Sequence, residues 1–158
     1  MTHDTLRVVA IDPTSRGFAY AVLEGPETLI DWGLVHVLVL TDENILTRAE
    51  QIFERCVPDL VVVEDTRGTR RRTRACRLIK EIENLAKRRR FPTVRVSRSH
   101  VQQVLRPAST KQEIAEAIAR TFPELAPRLP RFRKAWMSED ERMNIFDAVS
   151  LALGALSK

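Results

Sequence analysis

The chain has 158 residues, of which 44% are hydrophobic and 30% charged, and this is the composition and length of a soluble domain with one hydrophobic core. It contains no run of about 18 apolar residues, so we expect no membrane-spanning helix, and its first residues lack the apolar stretch of a secretory signal. These features predict a single domain over residues 1–158 in the cytoplasm, with Cys56 and Cys76 as reduced thiols.

The basic residues are concentrated in one part of the chain. Lys and Arg number 26 against 21 acidic residues, a formal net charge of +5. Eleven of the basic residues lie between Arg67 and Arg90, where only two acids occur. Such a concentration attracts phosphate backbones and predicts a nucleic-acid partner. A solvated helix face is the alternative.

The first part of the chain predicts three sequential strands. Residues 6–11, 18–23 and 28–40 are apolar and separated by turn residues, which is typical of antiparallel neighbours. Thr41 or Asp42 then caps a helix that reaches about Cys56.

The rest of the chain alternates strands and helices. We predict strands at 60–63 and 93–96, and helices at about 74–89 and 111–121, the latter capped by Thr110. A short helix capped by Ser99 precedes Pro107, residues 123–136 are irregular, and a capping box at Ser138 begins a last apolar helix to about residue 156. This order predicts an α/β fold: a mixed sheet of about five strands, three antiparallel and then parallel, with helices on both faces.

Three carboxylates lie where an unpaired charge is costly. Asp12 follows the first buried strand, Glu64 follows the wholly apolar fourth strand, and Asp147 lies within the apolar last helix. If the first and fourth strands are neighbours, Asp12 and Glu64 meet at one sheet edge, and a helix across the sheet brings Asp147 to them. Three converging carboxylates suit Mg²⁺ or Mn²⁺.

Each carboxylate also has a structural interpretation. Asp12 before Pro13 can be a turn residue. Glu64 can pair with an arginine from residues 67–74, and Asp147 can be an exposed polar position of an amphipathic helix.

The ordered motifs resemble a known family. Residues 8–17 (VVAIDPTSRG), 58–64 (PDLVVVE), 101–118 and 146–153 (FDAVSLAL) are similar, in this order, to the motifs of RuvC-type Holliday-junction resolvases of the RNase H-like superfamily. The chain departs from that pattern at two positions. Asn144 stands where the family carries a second aspartate one helical turn before the last one, and Thr14 stands where its turn has glycine.

The resemblance implies a homodimeric endonuclease that cuts branched DNA with two Mg²⁺ or Mn²⁺ ions. Asp12, Glu64 and Asp147 would hold the metals with Asn144 as a further ligand, and Lys111 would approach the scissile phosphate. The phosphate backbone would be tracked by Arg70, Arg71, Arg72, Arg74 and Arg77. For Lys111, a solvated position in the first turn of its helix is the alternative.

Two other functions fit the same sequence. The YqgF-type branch of this fold, associated with RNA processing, would keep the metal site and change the substrate. A non-catalytic nucleic-acid-binding module would keep the fold and the basic surface alone. Asn144 favours this module, and the retained set of Asp12, Glu64 and Asp147 opposes it.

Overall fold

The structure is a computed structural model that describes residues 5–71, 73–131 and 139–157. Its strands are β1 (Arg7–Pro13), β2 (Gly17–Glu24), β3 (Leu29–His36), β4 (Leu60–Glu64) and β5 (Thr93–Val96). Its α-helices are α1 (Asp42–Cys56), α2 (Thr73–Arg88), α3 (Arg98–Val104), α4 (Lys111–Thr121) and α5 (Met143–Leu156), and a 3₁₀ helix spans Pro123–Arg128. No helix of the described residues is long and apolar enough to cross a bilayer.

The five strands form one mixed sheet in the order β3-β2-β1-β4-β5. Strands β1, β2 and β3 pair antiparallel, whereas β4 runs parallel to β1, and β5 runs parallel to β4. The predicted fold class is therefore confirmed. Because β1, β4 and β5 are parallel, their carboxyl ends lie at the same edge of the sheet.

Helices cover both faces of this sheet, as predicted. Val8 and Ala10 of β1 pack in one core with residues of α3, α4 and α5. Val9 and Ile11 pack on the opposite face with residues of α1 and α2. All four side chains are fully buried, so the alternation along β1 assigns each position to one face.

Local capping fixes several helix ends. The side chain of Thr41 accepts a hydrogen bond from the backbone of Asn44, and Thr110 forms a reciprocal capping box with Glu113, which confirms two predicted caps. The predicted cap at Ser99 is wrong, because Ser97 accepts from the backbone N–H of His100 and α3 begins at Arg98.

Two predicted elements have different bounds. Strand β3 ends at His36, and the following Leu38 is fully exposed, because the chain leaves the sheet to reach the cap of α1. The last helix begins at Met143, after a turn in which Asp140 accepts from the backbone N–H of Arg142. Ser138, the start of its predicted capping box, lies outside the described residues. The predicted irregular stretch contains the 3₁₀ helix.

Gly17 opens β2 where the sheet is too tight for a side chain. A Cβ at this position would lie 1.9 Å from the carbonyl oxygen of Val35 on β3. We expect Gly17→Ala to lower the free energy of unfolding by about 3 kcal/mol or more, since a backbone atom cannot move aside as a side chain would. Urea denaturation followed by circular dichroism measures this loss.

Gly68→Ala is the matched control. Gly68 has a φ of +75° but no atom within 4 Å of an added Cβ, so alanine there meets only the backbone cost of about 1 kcal/mol. An equal loss for both variants would contradict the close contact between β2 and β3.

Candidate active site

Strand alternation brings Asp12 and Glu64 to the same place. Val8 pairs with Leu60 and Ala10 pairs with Val62 in the parallel ladder between β1 and β4. Continuing this register by two residues sets Asp12 beside Glu64, on the face covered by α5. Both carboxylates are buried.

The other predicted donors come from the helices on that face. Helix α5 packs across β1 and β2 and carries Asn144 and Asp147 one turn apart. Lys111 begins α4, which packs against α5. A cleft of about 340 Å³ is lined by Asp12, Glu64, Thr69, Arg70, Arg71, Arg98, Lys111, Glu139, Asn144 and Asp147. The four predicted metal ligands and Lys111 therefore line one cleft.

The guanidinium of Arg71 lies between the two strand carboxylates. Its Nη1 donates to Asp12 Oδ1 and to Glu64 Oε2, each at 2.8 Å, and its Nη2 donates to the carbonyl oxygen of Pro13 at 2.7 Å. The Arg71 side chain is only 19% exposed. The pairing of Glu64 with an arginine from residues 67–74, one of the two sequence interpretations, is thus present in the structure.

Two further cations contact the acids of the cleft. Arg98 Nε donates to Glu64 Oε1 at 3.2 Å. Lys111 Nζ lies 3.4 Å from Asp147 Oδ2 and 3.0 Å from Glu139 Oε1, so this lysine belongs to the cleft and is not a merely solvated side chain. Sequence reasoning missed Arg98. It lies two residues after β5, at the edge where β1 and β4 end, so its position just after a predicted strand is the signal in the sequence, as it is for Asp12.

Two of the acids in the cleft have raised pKa values, so their ionised forms are disfavoured in the metal-free chain. Burial raises the pKa of Asp12, although the neighbouring Arg71 opposes that shift. Burial, together with the charge of Asp12, raises the pKa of Asp147 to about 6. Removal of water and mutual repulsion both disfavour the ionised forms. A bound cation would favour them.

The predicted phosphate-tracking arginines have different surroundings. Arg70 is exposed and borders the cleft. Arg71 does not point to solvent as a phosphate-tracking side chain would, since its guanidinium is bonded to the buried carboxylates of Asp12 and Glu64. Arg74 donates to the carbonyl oxygen of Thr14 at 3.3 Å, and Arg77 forms an ion pair with Asp42. Arg72 lies outside the described residues. The basic segment is therefore partly engaged within the chain itself.

Comparisons with known proteins give structural matches only. No protein-family model matches the chain, and no curated protein sequence matches it either. Thermus thermophilus RuvC, solved in complex with a Holliday junction substrate, matches with a TM-score of 0.69 at 17% identity, over 96% of this chain and 93% of that one. The chain has the fold of RuvC.

Two other solved resolvases share this fold. The yeast mitochondrial Holliday junction resolvase matches with a TM-score of 0.59 at 16% identity, over 96% of this chain and 78% of that one. The fowlpox virus resolvase, solved with its substrate Holliday junction DNA, matches with a TM-score of 0.60 at 13% identity, over 96% and 97%. The resemblance predicted from the ordered motifs is confirmed at the level of the fold.

The donor set of the cleft fits a hard divalent cation. Carboxylate oxygens of Asp12, Glu64 and Asp147 and the amide oxygen of Asn144 are the ligand types that Mg²⁺ and Mn²⁺ take. With the side chains as they stand, no three acidic, histidine or cysteine residues of the described chain are arranged as a metal site. Arg71 lies between two of the acids, and its position would have to change for a metal to bind both.

The raised pKa of Asp147 gives a stability prediction. Its folded value of about 6 exceeds its ordinary value of 3.8, so the folded chain binds more protons than the unfolded chain between these pH values. The contribution of Asp147 to stability is therefore fully present below about pH 4 and is lost as the pH rises through 6. We expect Asp147→Asn to raise the free energy of unfolding by about 1–3 kcal/mol at pH 7.5 in chelator, and to have little effect at pH 4.

Glu83→Gln is the control of opposite sign. Glu83 accepts a hydrogen bond from Arg95 Nε at 2.8 Å, and this contact lowers the pKa of the carboxyl. Its stabilising effect is present at neutral pH and is lost in acid, so this variant should be less stable than the natural chain at pH 7.5. Urea titrations of each variant at both pH values give the comparison. A destabilised Asp147→Asn at pH 7.5 would contradict the predicted charge repulsion in the cleft.

Proposed function

We propose that the chain is a divalent-metal-dependent endonuclease that hydrolyses phosphodiester bonds in branched DNA. One observation carries this proposal: three carboxylates, from β1, β4 and α5, line a single open cleft bordered by Arg70, Arg98 and Lys111. The fold supports it, because two of the similar structures are resolvases solved with Holliday junction DNA.

The cleft offers ligands for the metal. Asp12, Glu64 and Asp147 would hold it, and Asn144 would add a neutral oxygen. When bound, a pair of Mg²⁺ or Mn²⁺ ions supplies an activated water and stabilisation of the leaving oxygen. Strand pairing fixes the first two carboxylates, since Asp12 pairs with Ala19 on β2 and Glu64 pairs with Val96 on β5. Packing of α5 on the sheet fixes the third.

Lys111 would act on the phosphate. Its ammonium lies between Glu139 and Asp147 at the border of the cleft, and its side chain is 36% exposed. A phosphate that approaches Asp147 would therefore meet this positive charge, which stabilises the negative charge developing in the transition state. Glu139 and Asp147 orient the ammonium before the phosphate arrives.

The basic segment would supply affinity for the phosphate backbone. Arg70 is already exposed beside the cleft. Arg74 and Arg77 would exchange their contacts with Thr14 and Asp42 for phosphate oxygens, and Arg72 belongs to the same stretch. Contacts of this kind bring affinity without sequence selectivity. We further propose a homodimer. Separating a four-way junction into two duplexes requires two symmetric cuts, and a two-fold symmetric dimer supplies two active sites.

The first functional prediction concerns the acids. We expect Asp12→Asn, Glu64→Gln and Asp147→Asn each to reduce Mg²⁺-dependent cleavage of a four-way junction by more than about 100-fold, because each removes a charged metal ligand. Binding of the junction should persist. Gel assays with four-way junction, linear duplex and structured RNA, each with Mg²⁺, Mn²⁺ or chelator, provide the measurement.

Asp65→Asn is the matched control for these variants. Asp65 follows Glu64 directly, but its carboxylate pairs with Arg67 instead of lining the cleft. Its variant should cut at nearly the natural rate. Cleavage of RNA alone would assign the chain to RNA processing, and binding without any cleavage would indicate a non-catalytic module.

The second functional prediction concerns Asn144. We expect Asn144→Asp to lower the Mg²⁺ concentration needed for half-maximal cleavage, since a carboxylate adds charge and a possible second oxygen ligand. Calorimetric Mn²⁺ titration and junction cleavage measure the effect. Asn84→Asp adds the same charge on the exposed side of α2 and is the control. Equal behaviour of both variants would place Asn144 outside the metal site.

A further inference from the structure

Asp12 and Glu64, two of the predicted metal ligands, are already bound to the guanidinium of Arg71. Arg71 satisfies three acceptors at once, namely the carboxylates of Asp12 and Glu64 and the carbonyl oxygen of Pro13, all within 2.8 Å. The carboxylates raise the pKa of this guanidinium further above its usual range. Arg71 is thus a positive charge held at the point where two predicted metal ligands meet.

The charges that line the cleft balance in this state. Among its described lining residues, the acids are Asp12, Glu64, Glu139 and Asp147, and the cations are Arg70, Arg71, Arg98 and Lys111. Four negative charges therefore face four positive ones. A cleft without net negative charge attracts a divalent cation weakly. Loss of Arg71 from the cleft would leave an excess of one negative charge.

The turn that precedes Arg71 is not packed into the body of the protein. Residues 67–70, between β4 and α2, are exposed. Gly68 lies in this turn with a positive φ and open space around it. Withdrawal of the Arg71 side chain would break its polar contacts without removing any side chain from either hydrophobic core.

We propose that Arg71 competes with the divalent metal for Asp12 and Glu64, and moves onto a nucleic-acid phosphate when metal and substrate bind together. This role rests on the proposed function. A phosphate offers the displaced guanidinium the same bidentate acceptor geometry as a carboxylate. Metal binding and nucleic-acid binding then strengthen each other by the same factor, as linkage requires. The free chain holds metal weakly, and the substrate itself promotes loading of the site.

Calorimetric titration of the metal-free protein with Mn²⁺ tests the competition. We expect Arg71→Gln to bind Mn²⁺ at least about tenfold more tightly than the natural chain, within the range usual for coupled sites. Arg67→Gln removes the same charge from the same turn, but Arg67 pairs with Asp65, outside the cleft. It should change the affinity much less. An equal rise in Mn²⁺ affinity in both variants would show that only the net charge of the protein matters, and it would overturn the proposal.

Linear duplex DNA tests the coupling, because it supplies phosphates without a branch. We expect added duplex to tighten Mn²⁺ binding by the natural chain severalfold and to have a much smaller effect on Arg71→Gln, which has no guanidinium to transfer. An equal increase in both proteins would overturn the transfer of Arg71 to phosphate.

A measurement on the natural chain covers the case in which Arg71→Gln does not fold without metal. Nitrogen-15 NMR of the arginine side chains reports the hindered rotation of a guanidinium held by several acceptors, and Arg71→Lys assigns the signal. Saturating Mg²⁺ should remove this hindrance at Arg71 and leave it at Arg95, which is held by Glu83. A signal of Arg71 that stays hindered at saturation would overturn the proposal.

The outcomes separate the two proposals. If the natural chain and Arg71→Gln both fail to bind Mn²⁺ with and without DNA, the metal-dependent nuclease is wrong. If the natural chain binds Mn²⁺ and cuts junctions but Arg71→Gln binds no more tightly than Arg67→Gln, only the role of Arg71 is wrong.

Discussion

Two buried carboxylates at the ends of neighbouring parallel strands require a cation, and the organisation of the site follows from this requirement. Asp12 is held by its pairing with Ala19 on β2, and Glu64 by its pairing with Val96 on β5, so the sheet keeps the two buried carboxylates from separating to reduce their repulsion. Burying both charges without a counter-charge would cost several kcal/mol. In the free chain Arg71 supplies the counter-charge, and under the proposed function a divalent metal does.

The helices of one face complete the site around this pair. Helix α5 brings Asp147 close enough for the charge of Asp12 to raise its pKa, and α4 brings Lys111 within reach of Asp147. The same packing that buries the apolar side of α5 therefore also positions its carboxylate. Under the proposed function, stability and catalysis would make opposite demands on Asp147, because the ionised form needed to bind metal is the form that the metal-free fold disfavours.

The fold and the proposed activity rest on different observations. TM-scores of 0.59–0.69 to the solved resolvases establish a common architecture, and at identities of 13–17% this likeness shows the fold alone. The residues in the cleft are what favour a nuclease, since one fold supports many activities. Asn144 and Arg71 make this cleft less negative than a site of carboxylates alone. Under the proposed function, its metal affinity would consequently depend on what else is bound nearby.

Local patterns in the sequence determined most of the elements. Apolar runs predicted β1, β4 and β5, and the caps at Thr41 and Thr110 depend only on residues three positions away. The sequence also placed Asp12 and Glu64 directly after runs that predict buried strands, and it predicted their meeting at one sheet edge on the condition that those two strands are neighbours, which the sheet order supplies.

Tertiary structure decided what local patterns cannot express. The apolar run that predicted β3 continues to Leu40, yet the strand stops at His36, because a connection to α1 begins there. The positive charge of Arg71 alone predicted a contact with the phosphate backbone. In the structure it contacts Asp12, a residue 59 positions away in the chain. Arg98 enters the cleft because β5 lies beside β4. Such pairings depend on strand order and helix packing, which bring distant parts of the chain together, and no short window of sequence contains both partners.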